Sequence, residues 1–240
     1  CSCRNIKCRY RSLMTLIKGK VKTVYESDNP NEVTIQYEDR VTAGNGRKEL
    51  WVEDKGAVCC EISRILFNVL EQRGIRTHYI TMPTRNSMCC TKLDIVPIEV
   101  VVRNIAAGSI VRQTTIEEGT KFEHPLVEFY LKDDEKDDPL LTDDRVVLMG
   151  YGMIIEQLDE LARDVNSVLS GIFNQMDLTL VDFKLEFGYD ANDNLVLGDE
   201  LSPDGMRLWR DGESFDKDLF RKEKGNIMSA YKYILEELGG

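Results

Sequence analysis

The stretch LVDFKLEFGYDANDNLVLGDELSPDGMRLW (residues 180–209) carries the pattern that determines both the fold and the site. Apolar and ionisable residues alternate along its first part, as in a strand that buries one face. Asp182, Lys184 and Glu186 then share the charged face. The apolar face is predicted to hold Val181, Phe183, Leu185 and Phe187.

The turn-rich residues 189–194 predict a hairpin whose returning strand lies in LVLGDEL (195–201). The sequence is compatible with two pairings of these strands, one with Lys184 opposite Asp199 and one with Glu186 opposite Asp199. Both place Asp199 on the charged face, whereas an odd slip would place it on the apolar face. A solvated surface is the alternative reading of this face. Carboxylates on one face repel unless a cation lies between them, which favours Mg²⁺ bound to nucleotide phosphates.

Bulk composition limits the possible functions. A chain of 240 residues can form one large domain or two small domains that share a cleft. A net charge of −11 argues against a nucleic-acid partner, since phosphate binding needs a basic surplus. No apolar run approaches the roughly 20 residues that a membrane-spanning helix needs, so we expect no membrane partner.

The cysteines predict a reducing, cytoplasmic setting without a disulfide framework, because four of them form the adjacent pairs 59–60 and 89–90. In a helix, Cys59 and Cys60 are expected to be one core and one surface residue. Residues 1–13 are basic and Cys-rich without an apolar centre. We expect them to be a leader or an extension that is not part of the main fold.

The order of hydrophobic patterns predicts an α+β fold with two lobes, a first lobe at 14–92 and a second at 93–240. Strands are expected in 15–40, around the turn SDNPNE, and in 75–82 and 93–113. A polar, glycine-rich loop is expected at 40–50 and a charged loop at 132–139. Amphipathic helices are expected at 57–73, where Gly74 ends the helix, and at 153–175 and 225–238.

Two further segments are suited to anions. If KGKVK (18–22) is a strand, Lys18, Lys20 and Lys22 share a face, and Gly19 allows close approach of phosphate oxygens. The alternative is an edge strand protected from aggregation by lysines.

The segment VVVRNIAAGS (100–109) places Arg103 before small residues and before Ser109 at a possible helix start. Together these could bind an anion, with Arg103 as a bidentate donor. A tightly packed turn is the alternative. Arg207 would add a second guanidinium unless it is a surface residue. No Ser-His-Asp or Cys-His arrangement is evident, and we expect His78 and His124 to be structural.

Taken together, these motifs resemble the SAICAR synthetase family. The resemblance runs in order through GKVKTVYE, TAGNG, KGAV, LDIVPIEVVVRNIAAGS, DDP, LVDFKLEFG and GDELSPDGMRLW, over about residues 17–238. It implies a two-lobed α+β fold related to ATP-grasp enzymes, with antiparallel sheets, flanking helices and a cleft between the lobes, in a homodimer. It also implies a ligase of purine biosynthesis that converts ATP, CAIR (carboxyaminoimidazole ribotide) and L-aspartate into SAICAR, ADP and phosphate.

The resemblance further implies roles for individual residues. Glu186 and Asp199 would hold Mg²⁺ and contact the nucleotide, and with Lys184 they form the predicted catalytic set. The other nucleotide-binding residues would be Gly19, Lys20, Val21, Lys22 and Ile95. The ribotide would be held by Arg103, Ser109 and Arg207, and Lys184 would bind substrate and neutralise nearby charge. The segment TAGNG (42–46) could close over the substrates as a mobile loop.

Two other functions remain open at this point. A small-molecule kinase would share the lysine strand and the acidic hairpin without needing the anion site at 103–109. A non-enzymatic nucleotide-binding module would bind ATP without turnover.

Overall fold

The computed structural model describes residues 14–43, 48–221 and 226–240, so residues 1–13 and most of the predicted mobile loop lie outside the described residues. The first half of the chain contains β1 (Thr15–Lys18), β2 (Lys22–Glu26), β3 (Glu32–Tyr37), β4 (Arg40–Ala43), β5 (Lys48–Trp51), α1 (Lys55–Gln72), β6 (Tyr79–Thr84) and β7 (Ser87–Thr91). The second half contains β8 (Asp94–Ile105), α2 (Ser109–Gln113), β9 (Lys121–Leu131), β10 (Leu140–Leu141), α3 (Asp143–Leu148), α4 (Ile155–Asn174), β11 (Thr179–Tyr189), β12 (Leu195–Leu197), β13 (Met206–Arg210), β14 (Glu213–Ser214), α5 (Asp218–Arg221) and α6 (Ile227–Glu237).

The strands form two large antiparallel sheets and a separate two-stranded one, which confirms the predicted α+β class. The first sheet has the order β1-β2-β3-β7-β6, and the second has the order β10-β9-β8-β11-β13-β14, with β12 also paired to β11. Strands β4 and β5 pair separately, at the position where a loop was predicted. All strands of the first sheet precede residue 92, but one apolar core runs through both sheets. The division into lobes at residues 92 and 93 therefore stays a prediction.

The predicted amphipathic helices are confirmed. Helix α1 buries Val58, Ile62, Leu66 and Leu70 on one face, and Gly74 follows its end with a φ of 85°. Helix α4 packs against the second sheet through Leu158, Val165, Leu169 and Phe173. A period near 3.6 residues places these side chains on one face, so their burial stabilises both helices. Cys59 and Cys60 are both fully buried, so the predicted surface position for one of them is wrong.

The lysine segment KGKVK is a hairpin turn and not a strand, so the predicted shared face of its lysines is wrong. Strand β1 ends at Lys18, β2 begins at Lys22, and the amide of Gly19 donates to the carbonyl of Lys22 at 2.8 Å. A Cβ on Gly19 would lie 3.1 Å from the carbonyl oxygen of Lys22, so the missing side chain makes room for this tight turn. Lys18 and Lys20 are consequently exposed, and Lys22 points into the molecule.

Both predicted registers of the β11–β12 hairpin are wrong. Gly188 opposes Val196, and the amide of Gly198 donates to the carbonyl of Glu186 at 2.8 Å. This is the odd slip, which in a continued strand would place Asp199 opposite Leu185, toward the core. Strand β12 instead ends at Leu197, and Asp199 takes a left-handed φ of 58°. The carboxylate of Asp199 reaches the charged side through this backbone turn.

The predicted apolar face of β11 is correct except at Val181. Phe183, Leu185 and Phe187 lie in the main core, whereas Val181 packs in a small second cluster with Ile105 and Ala107. The pairing of β11 with β13 shifts register between Leu180 and Asp182, and such a bulge changes which side of the sheet a residue faces. Across the described ranges, no helix has both the length and the apolar character needed to cross a membrane.

Candidate active site

Two carboxylates and three lysines meet beside the middle of β11, and we call Glu186, Asp199, Lys22, Lys132 and Lys184 the acidic cluster. Lys22 pairs with Asp199, and Lys132 pairs with Glu186. The Nζ of Lys184 lies 3.6 Å from Glu186 Oε1. Like carboxylates this close are stable only with positive charge between them, and the lysines supply it.

Separate parts of the fold deliver these side chains. Lys184 and Glu186 alternate with core residues along β11, as the sequence pattern predicted. Lys22 enters from the first residue of β2, and Asp199 enters from the left-handed turn after β12. Lys132 directly follows β9 and was missed, because its segment was read only as a charged loop. Its place beside Glu186 depends on strand pairing that a single sequence does not reveal.

Burial and neighbouring charges shift the pKa values of the two carboxyls in opposite directions. Burial, followed by the charge of Asp199, raises the pKa of Glu186 despite the opposing effect of Lys184 and Lys132. Burial would also raise the pKa of Asp199, but Lys22 and Lys184 together hold that pKa well below its usual range. Asp199 is therefore ionised, whereas losing the proton is less favourable for Glu186 than for an exposed glutamate.

A second group of charges lies further along the same strands. Arg103 of β8, Asp182 of β11 and Arg207 of β13 are direct cross-strand neighbours. The Nη1 atoms of Arg103 and Arg207 each donate to Asp182 Oδ2 at 2.7 Å. Asp182 is buried, and the two guanidiniums offset much of the cost of burying its charge.

Arg103 uses every donor of its guanidinium within the protein. An arginine has five N–H donors, and this residue is 3% exposed. The acceptors are Glu128 at 2.6 Å, the Ala107 carbonyl at 3.2 Å, Asp182 at 2.7 Å, Ser109 at 2.7 Å and the Tyr130 hydroxyl at 3.2 Å. Arg103 thus fixes the turn that leads into α2 and orients the Ser109 hydroxyl.

Arg207 lies over Gly108, and part of its guanidinium can still donate hydrogen bonds to a ligand. Its Nη1 and Nε donate to Asp182 and Asp218, whereas Nη2 has no acceptor among the residues that the structure describes. Gly108 has a φ of 69°, and a Cβ there would lie 2.6 Å from Nη2 of Arg207. Only glycine combines this backbone conformation with this close approach. The small residues before Ser109 therefore make room for Arg207.

A cavity of about 530 Å³ is lined by Arg103, Asp182 and Arg207, and of the acidic cluster only Lys184 reaches its wall. The structure brings together the four predicted substrate-binding residues, because this cavity is lined by Arg103, Ser109, Arg207 and Lys184. Lys184 also belongs to the acidic cluster and is 3.0 Å from Glu99, another lining residue that the sequence reading did not single out.

The remaining predicted nucleotide-binding residues lie on exposed structure. Gly19 and Lys20 are exposed in the turn between β1 and β2, and Val21 is partly buried beside them. Ile95 of β8 is 39% exposed, in a strand segment that pairs with Gly188. This turn lies next to the acidic cluster, because Lys22 at its end pairs with Asp199.

These observations define the class of protein. It is an α+β protein with two large antiparallel sheets and a charged cleft suited to anionic small molecules. The sequence model of SAICAR synthetase matches residues 15–238. The phosphoribosylaminoimidazole-succinocarboxamide synthase of Nautilia profundicola is 45% identical over 93% of this chain and 97% of its own length. The chain belongs to the SAICAR synthetase family.

Solved structures agree with this assignment. A SAICAR synthetase in complex with ADP superposes with a TM-score of 0.89 at 38% identity, over 92% of this chain and 96% of the other. The phosphoribosylaminoimidazole-succinocarboxamide synthase of Ehrlichia chaffeensis superposes with a TM-score of 0.91 at 35% identity, over 94% of this chain and 98% of its own. The resemblance read from the motifs is therefore confirmed along the fold.

Proposed function

We propose that the chain is the ATP-dependent ligase that joins L-aspartate to the carboxylate of CAIR, giving SAICAR, ADP and phosphate in purine biosynthesis. The observation that carries this proposal is the position of Lys184, which lines the same cavity as Arg207 and Ser109 and whose Nζ lies 3.6 Å from Glu186 Oε1 in the acidic cluster. The acidic cluster suits the phosphoryl group that is transferred, and the Arg207–Ser109 site suits an anionic substrate. The family match supports the same reaction.

The chemistry proceeds through an acyl phosphate. A carboxylate is a poor electrophile, so a carboxylate oxygen of CAIR attacks the γ-phosphorus of ATP and ADP leaves. The amine of aspartate then attacks the activated carbonyl carbon, loses a proton, and phosphate departs with the former carboxylate oxygen. No protein nucleophile is needed, and the protein contributes positioning and charge neutralisation.

The turn at Gly19–Lys22 is the proposed phosphate-binding segment for ATP. Lys20 is exposed at its tip, and Lys22 projects into the acidic cluster. Exposed lysines suit phosphate oxygens. Ile95, at the exposed start of β8, would contact the adenine. The related structure with ADP supports a nucleotide site in this fold.

Glu186 and Asp199 fit a magnesium ion. No group of three or more Asp, Glu, His or Cys side chains is arranged to hold a metal within the described ranges. Two carboxylates suffice, because Mg²⁺ bound to a nucleotide takes its other oxygens from phosphates and water. The lysines that now neutralise Glu186 and Asp199 show that this place attracts positive charge. When bound, the ion would neutralise charge on the transferred phosphoryl group.

Arg207 and Ser109 are the proposed contacts of the ribotide phosphate. Nη2 of Arg207 retains its donors, and the Ser109 hydroxyl lines the same cavity. Arg103 supports this site by holding both Ser109 and Asp182. Lys184 would face the carboxylate of CAIR, because it lies between this site and the acidic cluster.

The Gly108→Ala substitution is expected to raise KM for CAIR by about 10-fold or more with little effect on KM for ATP, equivalent to about 1.4 kcal/mol. The added methyl would push Arg207 away from Asp182 and Asp218. Steady-state kinetics with each substrate varied tests this expectation. Gly119→Ala is the matched control, because Gly119 has a φ of 87° but nothing within 4 Å of an added Cβ. Equal effects of both variants would show that backbone strain, and not Arg207, is the cause.

The homodimer and the cytoplasmic location implied by the resemblance remain part of the proposal. The four cysteines in the described part of the chain form no disulfide bonds, which suits a reducing compartment. Sedimentation of the purified protein measures the oligomeric state directly.

The function is tested by component omission. Purified protein with ATP, Mg²⁺, CAIR and L-aspartate is expected to form ADP and SAICAR in equal amounts, detected by chromatography and mass spectrometry. Little ADP should form when any component is missing. A phosphorylated product with no need for aspartate would indicate a kinase, and nucleotide binding without turnover would indicate a binding module.

A further inference from the structure

The carboxylate of Asp199 depends on an unusual backbone conformation. Strand β12 stops at Leu197, and Gly198 still pairs with Glu186 through its amide. Asp199 then takes a φ of 58°, in the left-handed region that residues with a side chain rarely adopt. Aspartate adopts this conformation more readily than most residues, and the surrounding structure then decides where its carboxylate points. The neighbours of Gly198 and Asp199 therefore matter for the acidic cluster.

The segment that leads into β6 runs directly beside this turn. The amide of Leu197 donates to the Arg76 carbonyl at 3.1 Å, and the amide of His78 donates to the Leu197 carbonyl at 2.9 Å. The imidazole of His78 is 3% exposed and packs edge-on against Phe67, with 5.3 Å between ring centroids. These contacts fix the ring of His78 against the end of β12.

The Nδ1 side of the His78 ring faces the turn. A Cβ built on Gly198 would lie 3.6 Å from Nδ1, so the ring packs on the glycine backbone. Burial, as the largest effect, lowers the pKa of His78 to about 4, so the ring is neutral near pH 7.

The other ring nitrogen argues that His78 is more than a packing residue. Nε2 is buried and has no hydrogen-bond partner among the described residues. A buried polar atom without a partner is unfavourable, and an apolar side chain of similar shape would avoid that cost. A histidine at this position therefore needs a compensating role, and Nδ1 is the atom that faces Gly198 and Asp199.

We propose that His78 is a positioning residue whose ring holds the Gly198–Asp199 backbone in the left-handed turn and so directs the Asp199 carboxylate into the acidic cluster. His78 touches no substrate and acts through Asp199. The inference rests on the proposed function, because it takes Asp199 as part of the nucleotide and magnesium site. It assigns a role to a residue that the sequence alone suggested was structural.

The test compares His78→Phe and His78→Asn in the whole chain. Phenylalanine keeps the packing on Phe67 but has no ring nitrogen, whereas the amide of asparagine can replace Nδ1. Calorimetry with ADP and Mg²⁺ is expected to give about 10-fold weaker binding for His78→Phe. Binding by His78→Asn should return to within about 3-fold of the unmodified chain. KM for CAIR should change little in either variant.

Phe67→Leu is the matched control, because it loosens the packing of the His78 ring without removing Nδ1. It should lower the urea midpoint and leave ADP binding nearly unchanged. Unchanged binding in His78→Phe, or equal weakening in Phe67→Leu and His78→Phe, would overturn the inference. If His78→Phe does not fold, His78→Ala and His78→Asn replace it, with rescue by asparagine as the deciding result. Failure of the unmodified chain to bind ADP with Mg²⁺ would instead contradict the proposed function.

Discussion

Asp199→Asn and Glu186→Gln are each expected to lower kcat by about 100-fold or more, while the protein stays folded. Each substitution removes a negative charge at the place where Mg²⁺ and the phosphates of ATP would meet. Lys22 keeps a second partner in Asp199→Asn, because its Nζ lies 3.1 Å from Glu200 Oε1. The fold should therefore survive, and the loss should appear in turnover. Steady-state kinetics with urea unfolding of each variant measures both effects.

Asp193→Asn is the matched control for these variants. Asp193 is exposed in the connection after β11 and has a φ of 59°, nearly the same as Asp199. The chemical change and the backbone conformation thus match those of Asp199→Asn, but the residue lies outside the acidic cluster. We expect its kcat to stay within about 2-fold of the unmodified chain. Wild-type rates in Asp199→Asn and Glu186→Gln would refute their proposed roles.

Lys55→Met is expected to lower the free energy of unfolding by about 3–5 kcal/mol. Lys55 at the start of α1 is 1% exposed and pairs with Asp204, which also accepts from the Tyr231 hydroxyl at 2.8 Å. This buried group ties α1 and α6 to the loop after β12. Removing the lysine leaves Asp204 buried without its main counter-charge. Urea unfolding measures the loss, and exposed Lys92→Met should stay within about 0.5 kcal/mol of the unmodified chain.

The effect of Lys55→Met should also depend on pH. Burial alone would raise the pKa of Asp204, but the charges of Lys55 and Lys217 and hydrogen bonds from Lys55 and Tyr231 lower it to about 2. In the unfolded chain this pKa is about 3.9. The stabilisation is therefore complete above about pH 4 and is lost as the pH falls toward 2. A difference between the two proteins that stays constant from pH 7 to pH 2 would contradict this account.

The sequence predicted the charged face of β11, because the alternation of apolar and ionisable residues is visible within that one strand. Alternation along β11 correctly separated Lys184 and Glu186 from Phe183 and Leu185, whereas the anion site before Ser109 stays a prediction, with Ser109 lining the cavity. Periodic burial is a property of one strand or one helix, so one sequence can reveal it.

The errors all depend on how separate segments meet. Gly19 turned a predicted strand into a hairpin, and the odd register of β12 would have turned Asp199 away from the cluster without its left-handed backbone. Lys132 and Glu128 were missed because the pairing of β9 with β8 brings them to the site. These positions are fixed by tertiary contacts, and composition and periodicity carry no signal for them.

The central claim is that ATP activates a carboxylate of CAIR for attack by the amine of aspartate. Its most direct test uses CAIR whose carboxylate carries ¹⁸O, with ATP, Mg²⁺ and L-aspartate, and mass spectrometry of the phosphate released. The acyl-phosphate route predicts that one labelled oxygen moves from the carboxylate into each molecule of phosphate. SAICAR formed together with unlabelled phosphate would contradict it.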